Sequence, residues 1–342
     1  MSTTAGSFEE TKLQNLRIKA AEFMADGRIN LQYTPRIEAI NSLLAVNTAK
    51  FIQWKKARDG SDKKHIIEIE WINACEVETD TNTQCAPCGP KLSTNTKEYV
   101  QTREVCAGFE ISMADMIDND FEFSDLEVKG YLAAHKKLAE DFCQHYIDFL
   151  NANQGANAMG TKGKGVVAGV DTYIAPSFWD ATLMSYISRM AQMNQFGGPV
   201  FLSGSLLMEA YMQAKFNSGN DNGKGALAMF GTMPLYFDEY NIDTVNDPIL
   251  KAYLINTGAI TFASVTYHTP EPKVSGAIKY FSENNRYIPG LRHDVIVSEV
   301  CEGDMITRKW KWIDRSQCYL NPTGCDGTNT GVLDLVCGVP NP

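Results

Sequence analysis

Positive charge is scarce in this chain. Thirty-one Lys and Arg stand against 41 Asp and Glu, which leaves a net charge of −10, and no window sets basic residues densely among aromatics. Base-reading contact with nucleic acid is therefore not expected. The nearest approach to a basic run, Lys55, Lys56 and Arg58 followed by Lys63 and Lys64, reads as a solvated loop or strand edge. Long apolar runs are missing too: nothing nears the ~18 residues that a membrane-spanning helix needs. The opening MSTTAGSFEETKL has neither the basic head nor the apolar core of a secretory leader, so the protein is expected to be made and kept in a cytosol.

The usual signatures of catalysis are also wanting. No nucleophile elbow, HExxH or dinucleotide fingerprint occurs. Gly160, Gly163 and Gly165 with Lys162 and Lys164 look at first like a phosphate-cradling loop, but a P-loop needs Gly-Lys followed by Ser or Thr, and each lysine here precedes a glycine. The histidines, His65, His135, His145, His268 and His293, are scattered, and His135 falls on an apolar helical stripe, where it reads as a hydrogen-bonded core residue. Asp115, Asp118 and Asp120 read as a solvated approach to the long helix described below, with weak cation binding the lesser reading. Asp238 and Glu239 sit at a predicted strand end with no visible partner, so a surface role is the default. Neither catalytic, cofactor-binding nor metal-binding residues are assigned.

Nine cysteines are an odd number, so a full set of intrachain pairs is impossible. Cys85 and Cys88 form a CxxC pair that, with Cys75 and Cys106, resembles a four-thiolate zinc set. An antiparallel hairpin through Ile69 and Val100 puts Cys75 near its tip and Cys106 some way down the other strand. At ~3.3 Å per residue the gap is well over ~20 Å, against zinc–sulfur bonds of about 2.3 Å. Reduced thiols or one local disulfide are the favoured reading of Cys75, Cys85 and Cys88. A metal held by these three plus another ligand, or a crosslink to a neighbouring chain, stays open. Cys318, Cys325 and Cys337 read as buried or surface thiols.

What the chain does have is apolar material, 44 % hydrophobic residues over 342 positions, ample for a core. Its plainest element is one amphipathic helix from Ser124 to Gly155. Ser124 and Glu127 stand at capping-box spacing. Val128, Leu132, His135, Leu138, Phe142, Tyr146 and Phe149 then recur at three- and four-residue steps, a stripe that faces a core. At about 1.5 Å per residue the rod is ~45 Å long, a structural spine.

Before it, Glu9 to Met24 is predicted helical with Leu13, Leu16, Ile18, Ala21 and Phe23. Phe51 to Glu110 reads as a two-stranded ribbon: Ile67, Ile69 and Trp71 alternate with Glu68 and Glu70, and in KEYVQTREV neither face is strongly apolar. Such a ribbon is marginal in water and needs cover from its own chain or from another copy. After a Gly/Asn-rich junction, a helix opens at a second capping box, Ser177 and Asp180. A strand at Pro199 to Ser203, a helix at Ser205 to Phe216 and the strands MPLYFDEYNI and AYLINTGAITFASVTYH follow, a mixed α/β region. Ile278 to Val336 returns to strands, with Lys309, Trp310, Lys311 and Trp312 alternating.

This succession resembles the major capsid protein of tailed bacteriophages, the Hong Kong 97-type shell fold, over nearly the whole chain. VCAGFEISMADMIDNDFEFSDLEVKG leading into FCQHYIDFLNANQGANA is similar to the segment that joins the extended loop to the spine helix, and LSTNTKEYVQTREV to the returning strand of that loop. The resemblance implies an α+β fold with an N-terminal arm (1–45), an extended β-hairpin loop (46–112), a peripheral domain with the spine helix (113–172), an axial α/β domain (173–270), and a returning β layer with the tail (271–342). It implies a non-enzymatic structural protein whose copies tile an icosahedral shell in a virion assembled in a bacterial cytoplasm. Portal, scaffolding or decoration proteins are implied as partners, with packaged DNA enclosed non-specifically and no membrane. The Cys-containing insertion from Cys75 to Cys88 and the Cys-rich end depart from the pattern. A nanocompartment shell of the same fold, or a metal-binding or enzymatic α/β protein using residues 173–269, is the alternative.

Overall fold

The computed structural model describes residues 4–25, 34–46, 52–56, 65–72, 94–112, 123–159, 165–179, 183–205, 233–246, 251–302, 305–321 and 330–338. Cys75, Cys85, Cys88, Cys325, the Asp115–Asp120 cluster, Gly160 to Lys164, Asp180 and the helix expected over Ser205 to Phe216, apart from Ser205 itself, lie outside them. The fold is mixed α+β, as expected, and divides into two compact units that alternate along the chain. One comprises residues 1–36, 102–142 and 263–317, the other residues 37–101, 143–262 and 318–342.

The first unit is built on a five-stranded antiparallel sheet. Its strands are β4 (Val105–Ser112), β11 (Lys273–Ser275), β12 (Ile278–Asn284), β13 (Arg292–Glu302) and β14 (Met305–Asp314), in the order β11-β12-β13-β14-β4. The Lys-Trp alternation of β14 does what a period of two dictates: Trp310 and Trp312 are buried while Lys309 and Lys311 are exposed. Register pairs Val295 with Trp312 and Trp312 with Ala107, and Val297 with Trp310 and Trp310 with Phe109, so apolar side chains of three adjacent strands share one face. Against that face pack helix α1 (Thr4–Ala25) through Leu13, Leu16 and Ala20, and the first two thirds of helix α3 (Phe123–Ala152) through Val128, Tyr131, Leu132, Ala134 and Leu138.

Phe109 of β4 stacks on Trp310 and Trp312, ring centroids 6.2 and 5.6 Å apart. Its ring leaves no room on α3: a Cβ at Gly130 would meet Phe109 carbons at 2.8 Å. Glycine inside a helix costs about 1 kcal/mol relative to alanine, and here the ring takes the space that a methyl group would occupy.

The second unit contains a six-stranded mixed sheet of β5 (Gly165–Ala168), β6 (Asp171–Ile174), β7 (Val200–Ser203), β8 (Leu235–Phe237), β9 (Lys251–Ile255) and β16 (Val332–Cys337), in the order β5-β6-β16-β9-β7-β8. The β16–β6 and β7–β8 pairs are parallel. Helix α4 (Leu183–Met193) covers it through Leu183, Tyr186, Ile187 and Met190, packed with Phe201, Leu254, Leu333 and Leu335. Also here are α2 (Glu38–Val46), α5 (Glu239–Asn246) and a three-stranded antiparallel ribbon, β1 (Ile52–Lys56), β2 (His65–Ile72) and β3 (Thr94–Val100), in that order. Strands β10 (Ile260–Ser264) and β15 (Ser316–Leu320) form a two-stranded sheet.

Several elements depart from the sequence expectations. α3 begins at Phe123, so Ser124 lies inside the helix instead of capping it, and Glu127 is drawn into a tertiary contact described below. Phe149 is half-buried while Tyr131, Ile147 and Leu150 are fully buried, because α3 is covered on more than one side. α1 starts earlier than Glu9, and Ile18 and Ala21, expected on its apolar side, are exposed. Ser177 lies in a 3-10 turn over Pro176–Phe178; proline at the first position fixes the turn there, and α4 begins further on. MPLYFDEYNI contributes only the three residues of β8 before α5 takes over. The ribbon has a third strand, and Val105 onwards leaves it for the five-stranded sheet. No helix of the described residues is long and apolar enough to cross a membrane.

Candidate functional site

The polar chemistry of the first unit centres on Glu283. Period-two alternation along β12 places it on the same face as Phe281, a carboxylate on an apolar sheet face, 7 % exposed. Its two oxygens collect five donors. Oε1 accepts from Trp312 Nε1 at 2.7 Å and from His135 Nε2 at 3.3 Å. Oε2 accepts from the Tyr131 hydroxyl at 3.0 Å and from Nε and Nη2 of Arg17, each at 3.3 Å. Arg286 Nε donates to the same tyrosine oxygen at 2.9 Å. Burial opposes ionisation of Glu283, but the donors from His135 and Trp312 and the charge of Arg17 outweigh it and hold its pKa at about 2. Burial pushes His135 below the ordinary histidine value, so the imidazole donates as a neutral ring.

This arrangement ties α1, α3, β12 and β14 to one point. It is chemically inert as a proton carrier at neutral pH, because the carboxylate is already ionised and fully bonded. Four further ion pairs belong to this unit. Glu127 of α3 accepts from Arg308 Nη1 at 2.7 Å and from Trp310 Nε1 at 2.9 Å, which replaces the capping contact expected of it. Arg103, leading into β4, is bound by Asp314 and Asp141 and lies 5.7 Å from the Phe142 ring centroid. Asp314 is held below the usual carboxylate range: burial opposes this, and His293, Arg103 and Ser316 prevail. Arg315 pairs with Asp294, which also accepts the backbone N–H of Tyr267 and His268.

In the second unit the polar anchor is Asp238, 1 % exposed. Its Oδ1 accepts the Asn241 N–H at 2.9 Å, in the first turn of α5, and its Oδ2 accepts the Ala39 N–H at 2.7 Å, in the first turn of α2. One carboxylate thus caps two helix N-termini, where orphan amides and the helix dipoles favour negative charge. The surface role expected of Asp238 is overturned; the local signal was an Asp followed by Glu239 and by Asn241, the pattern of a helix start. Buried Cys143 donates its thiol to Oδ2 at 3.7 Å, and burial raises the pKa of that thiol.

The remaining candidates are dispersed. Cys106, Cys143, Cys318 and Cys337 are free thiols, Cys106 exposed and Cys143 and Cys318 buried. Among the described residues no group of His, Cys, Asp and Glu is arranged to hold a metal ion. Gly165 opens β5. His135 is a hydrogen-bonded core residue, as its place on the stripe implied. Sequence reasoning missed Glu283, Asp294, Asp314, Arg103 and Arg315. For Glu283 and Asp314 a signal existed, an acidic residue at the apolar phase of a strand.

Backbone chemistry supplies a further feature. β1 and β3 each pair with β2 only, so each has a side that no strand of the described residues completes. β11, whose three residues are all exposed, and β4 are the outer strands of the five-stranded sheet. Strand edges of this kind are templates for pairing with another chain.

No family model matches the chain, and no curated protein matches it. Among solved structures it is similar to one from Mycobacterium phage Che8, with 11 % identity, 84 % of this chain and 92 % of that chain covered, and a TM-score of 0.46. It is similar to the capsid of Ralstonia phage GP4, with 13 % identity over 82 % of this chain and 86 % of that chain, at a TM-score of 0.44. It is also similar to the capsid of the cyanophage P-SCSP1u, with 10 % identity over 82 % of this chain and 85 % of that chain, at a TM-score of 0.44.

Proposed function

We propose that this chain is a shell-forming structural protein, the major capsid protein of a tailed phage, many copies of which associate edge to edge around packaged DNA. The observation that carries the reading is the ribbon β1-β2-β3, whose two outer strands each have a side that no strand of the described residues completes. A ribbon so built is stable when a neighbour supplies the missing cover. The polar anchors at Glu283 and Asp238 support a structural role, since their oxygens are committed to holding elements in place. The net charge of −10 suits a wall that encloses DNA without gripping it.

In this reading residues 1–45 are an arm, 46–112 carry the loop that lies over a neighbouring subunit, 113–172 hold the spine helix, 173–270 gather around the capsomer axis and 271–342 complete the periphery. Assembly takes place in the host cytoplasm, with portal and scaffolding or decoration proteins as partners. The test is expression of the full chain followed by size-exclusion chromatography and negative-stain electron microscopy. Capsomers or closed particles are expected, and replacing residues 52–98 by a glycine–serine linker leaves folded subunits that form no closed particles. A small discrete oligomer from the full chain, or normal particles without the ribbon, overturns the proposal.

A further inference from the structure

The six-stranded sheet of the second unit ends in a hairpin that its backbone holds lightly. β5 and β6 pair with each other from Gly165–Ile174 to Ala168–Asp171, but β6 meets the rest of the sheet only where Val336 pairs with Tyr173 and Cys337 with Ile174 of β16, in the parallel sense. One more backbone bond, from the Gly338 N–H to the Ile174 carbonyl, extends this seam. On its other side β16 runs antiparallel to β9 from Val332 to Val336. Parallel pairing is the weaker of the two per residue, so the β6–β16 seam depends on what side chains add to it.

Asp334 is the side chain that crosses the seam. It is fully buried, its Oδ1 accepts the Thr172 N–H of β6 at 3.3 Å, and Lys251 Nζ of β9 stands 3.3 Å from its Oδ2. Its carboxyl group is also hydrogen-bonded to that of Asp171 on β6, which accepts the Tyr173 hydroxyl at 3.3 Å. Two carboxyl groups in such contact need one proton between them, and with both ionised like charges face each other at the join. Burial raises the Asp334 pKa to about 7; Lys251 opposes this and Asp171 adds to it. The titratable groups facing Asp334 are Asp171 and Tyr173 on β6 and Lys251 and Tyr253 on β9. β5 brings none, and the Tyr253 hydroxyl is spent on Asn151 near the end of α3.

We propose that Asp171 and Asp334 form a proton-operated latch on the β5–β6 hairpin, closed while the pair holds a proton and loosened when the proton is lost. In the opened hairpin Asp334 meets water and returns to an ordinary carboxylate pKa of about 3.9, so closure holds a proton that opening releases. Closure is firmest in acid and weakens as pH rises from about 4 to about 7. β5 is the outermost strand of the sheet and carries exposed Val166, so the latch governs how firmly that sheet end is presented to another strand. The device goes beyond shell formation: it acts within one subunit, and the measurement below needs no particles.

Hydrogen exchange of the purified full chain, corrected for the intrinsic pH dependence of amide exchange, reads the latch directly. Residues 165–174 are expected to be less protected than β7 and β9 of the same sheet, because they open locally. Their protection is expected to fall about tenfold or more between pH 5 and pH 8, as one proton is released on opening. Asp171→Asn, at a half-buried position, gives Asp334 a permanent amide donor and is expected to shrink that fall to about threefold or less. Asp334→Asn is expected to shrink it likewise from the buried side, and Lys251→Gln, which removes the cation favouring the ionised form, to move the fall to higher pH. Hairpin protection equal to that of β7 and β9 at every pH, protection that does not change with pH, or a fall as large in both asparagine variants as in the unsubstituted chain overturns the latch.

Discussion

The Asp238 carboxylate accepts the backbone N–H of Ala39 at 2.7 Å across 199 positions of sequence. Through that bond the start of α2 is held by the residue that also caps α5. Asp238→Ala therefore strips two helix N-termini of one partner and is expected to lower subunit stability by roughly 2–4 kcal/mol, two caps at about 1 kcal/mol or more each plus buried amides left unpaired. Asp238→Asn keeps acceptor capacity and should cost less. Urea denaturation of the two variants checks the order, and equal stabilities would show that the cap is dispensable.

Glu283 is the corresponding point of the first unit. Replacing it by glutamine keeps the shape but turns an amide donor toward groups that are themselves donors. A loss of about 3–5 kcal/mol is expected, the range for breaking a buried charged network. Arg17→Ala, at a side chain 34 % exposed, is expected to cost no more than about 1 kcal/mol by solvent screening. A Glu283→Gln subunit with an unchanged urea midpoint would mean that the five bonds are not formed together.

Asp334 gives a pH dependence with a definite sign. Burial raises its pKa to about 7, Lys251 opposes that, and Asp171 adds to it. Its folded value thus exceeds the unfolded value of about 3.9. The native state holds a proton that the unfolded chain gives up, so this contribution to stability is complete at low pH and disappears as pH rises from about 4 to about 7. Glu283 acts oppositely, with a folded pKa of about 2: its contribution is present above about pH 4 and is lost as pH falls toward 2. Asp334→Asn should abolish the decline between about pH 4 and 7 in a series of urea midpoints. A decline of unchanged size in the variant would assign it to another group.

Leu138 and Phe142 lie on the buried side of α3, at 1 % and 0 % exposure. Truncating each to alanine is expected to destabilise the subunit by about 2–5 kcal/mol through lost contacts and the cavity left behind. Thermal unfolding reads this directly, and a midpoint unchanged in both variants would place the stripe elsewhere.

How much of this was legible in the sequence depended on whether the signal was local. The spacing from Val128 to Tyr146 repeats within a few residues, so α3 could be read almost to its ends. Trp310 and Trp312 declared their side of β14 by alternation alone. Strand partners are a different matter: that Val332–Cys337 adds to the sheet containing Asp171–Ile174, or that Val105–Ser112 leaves the ribbon to pair with β14, depends on pairings across 160 residues or more that no short window records. The same holds for the polar anchors. Asp238 looked unpartnered because Ala39 is remote in sequence, and Glu127 looked like a capping residue because Arg308 is. α2 was passed over although Ala39, Ile40, Leu43 and Val46 follow helical spacing, since the expected extended arm claimed those positions.

The two compact units are threaded from six alternating stretches of one polypeptide, and this governs how the subunit comes into being. Neither half can be excised as a fragment, because each needs pieces from early, middle and late in translation. Residues 263–317 emerge from the ribosome after most of the chain, and until they do β4 has no β14 beside it and α1 has no sheet to lie on. A nascent chain therefore has no completed five-stranded sheet until residues 263–317 have emerged, and synthesis itself sets the moment at which the first unit can close.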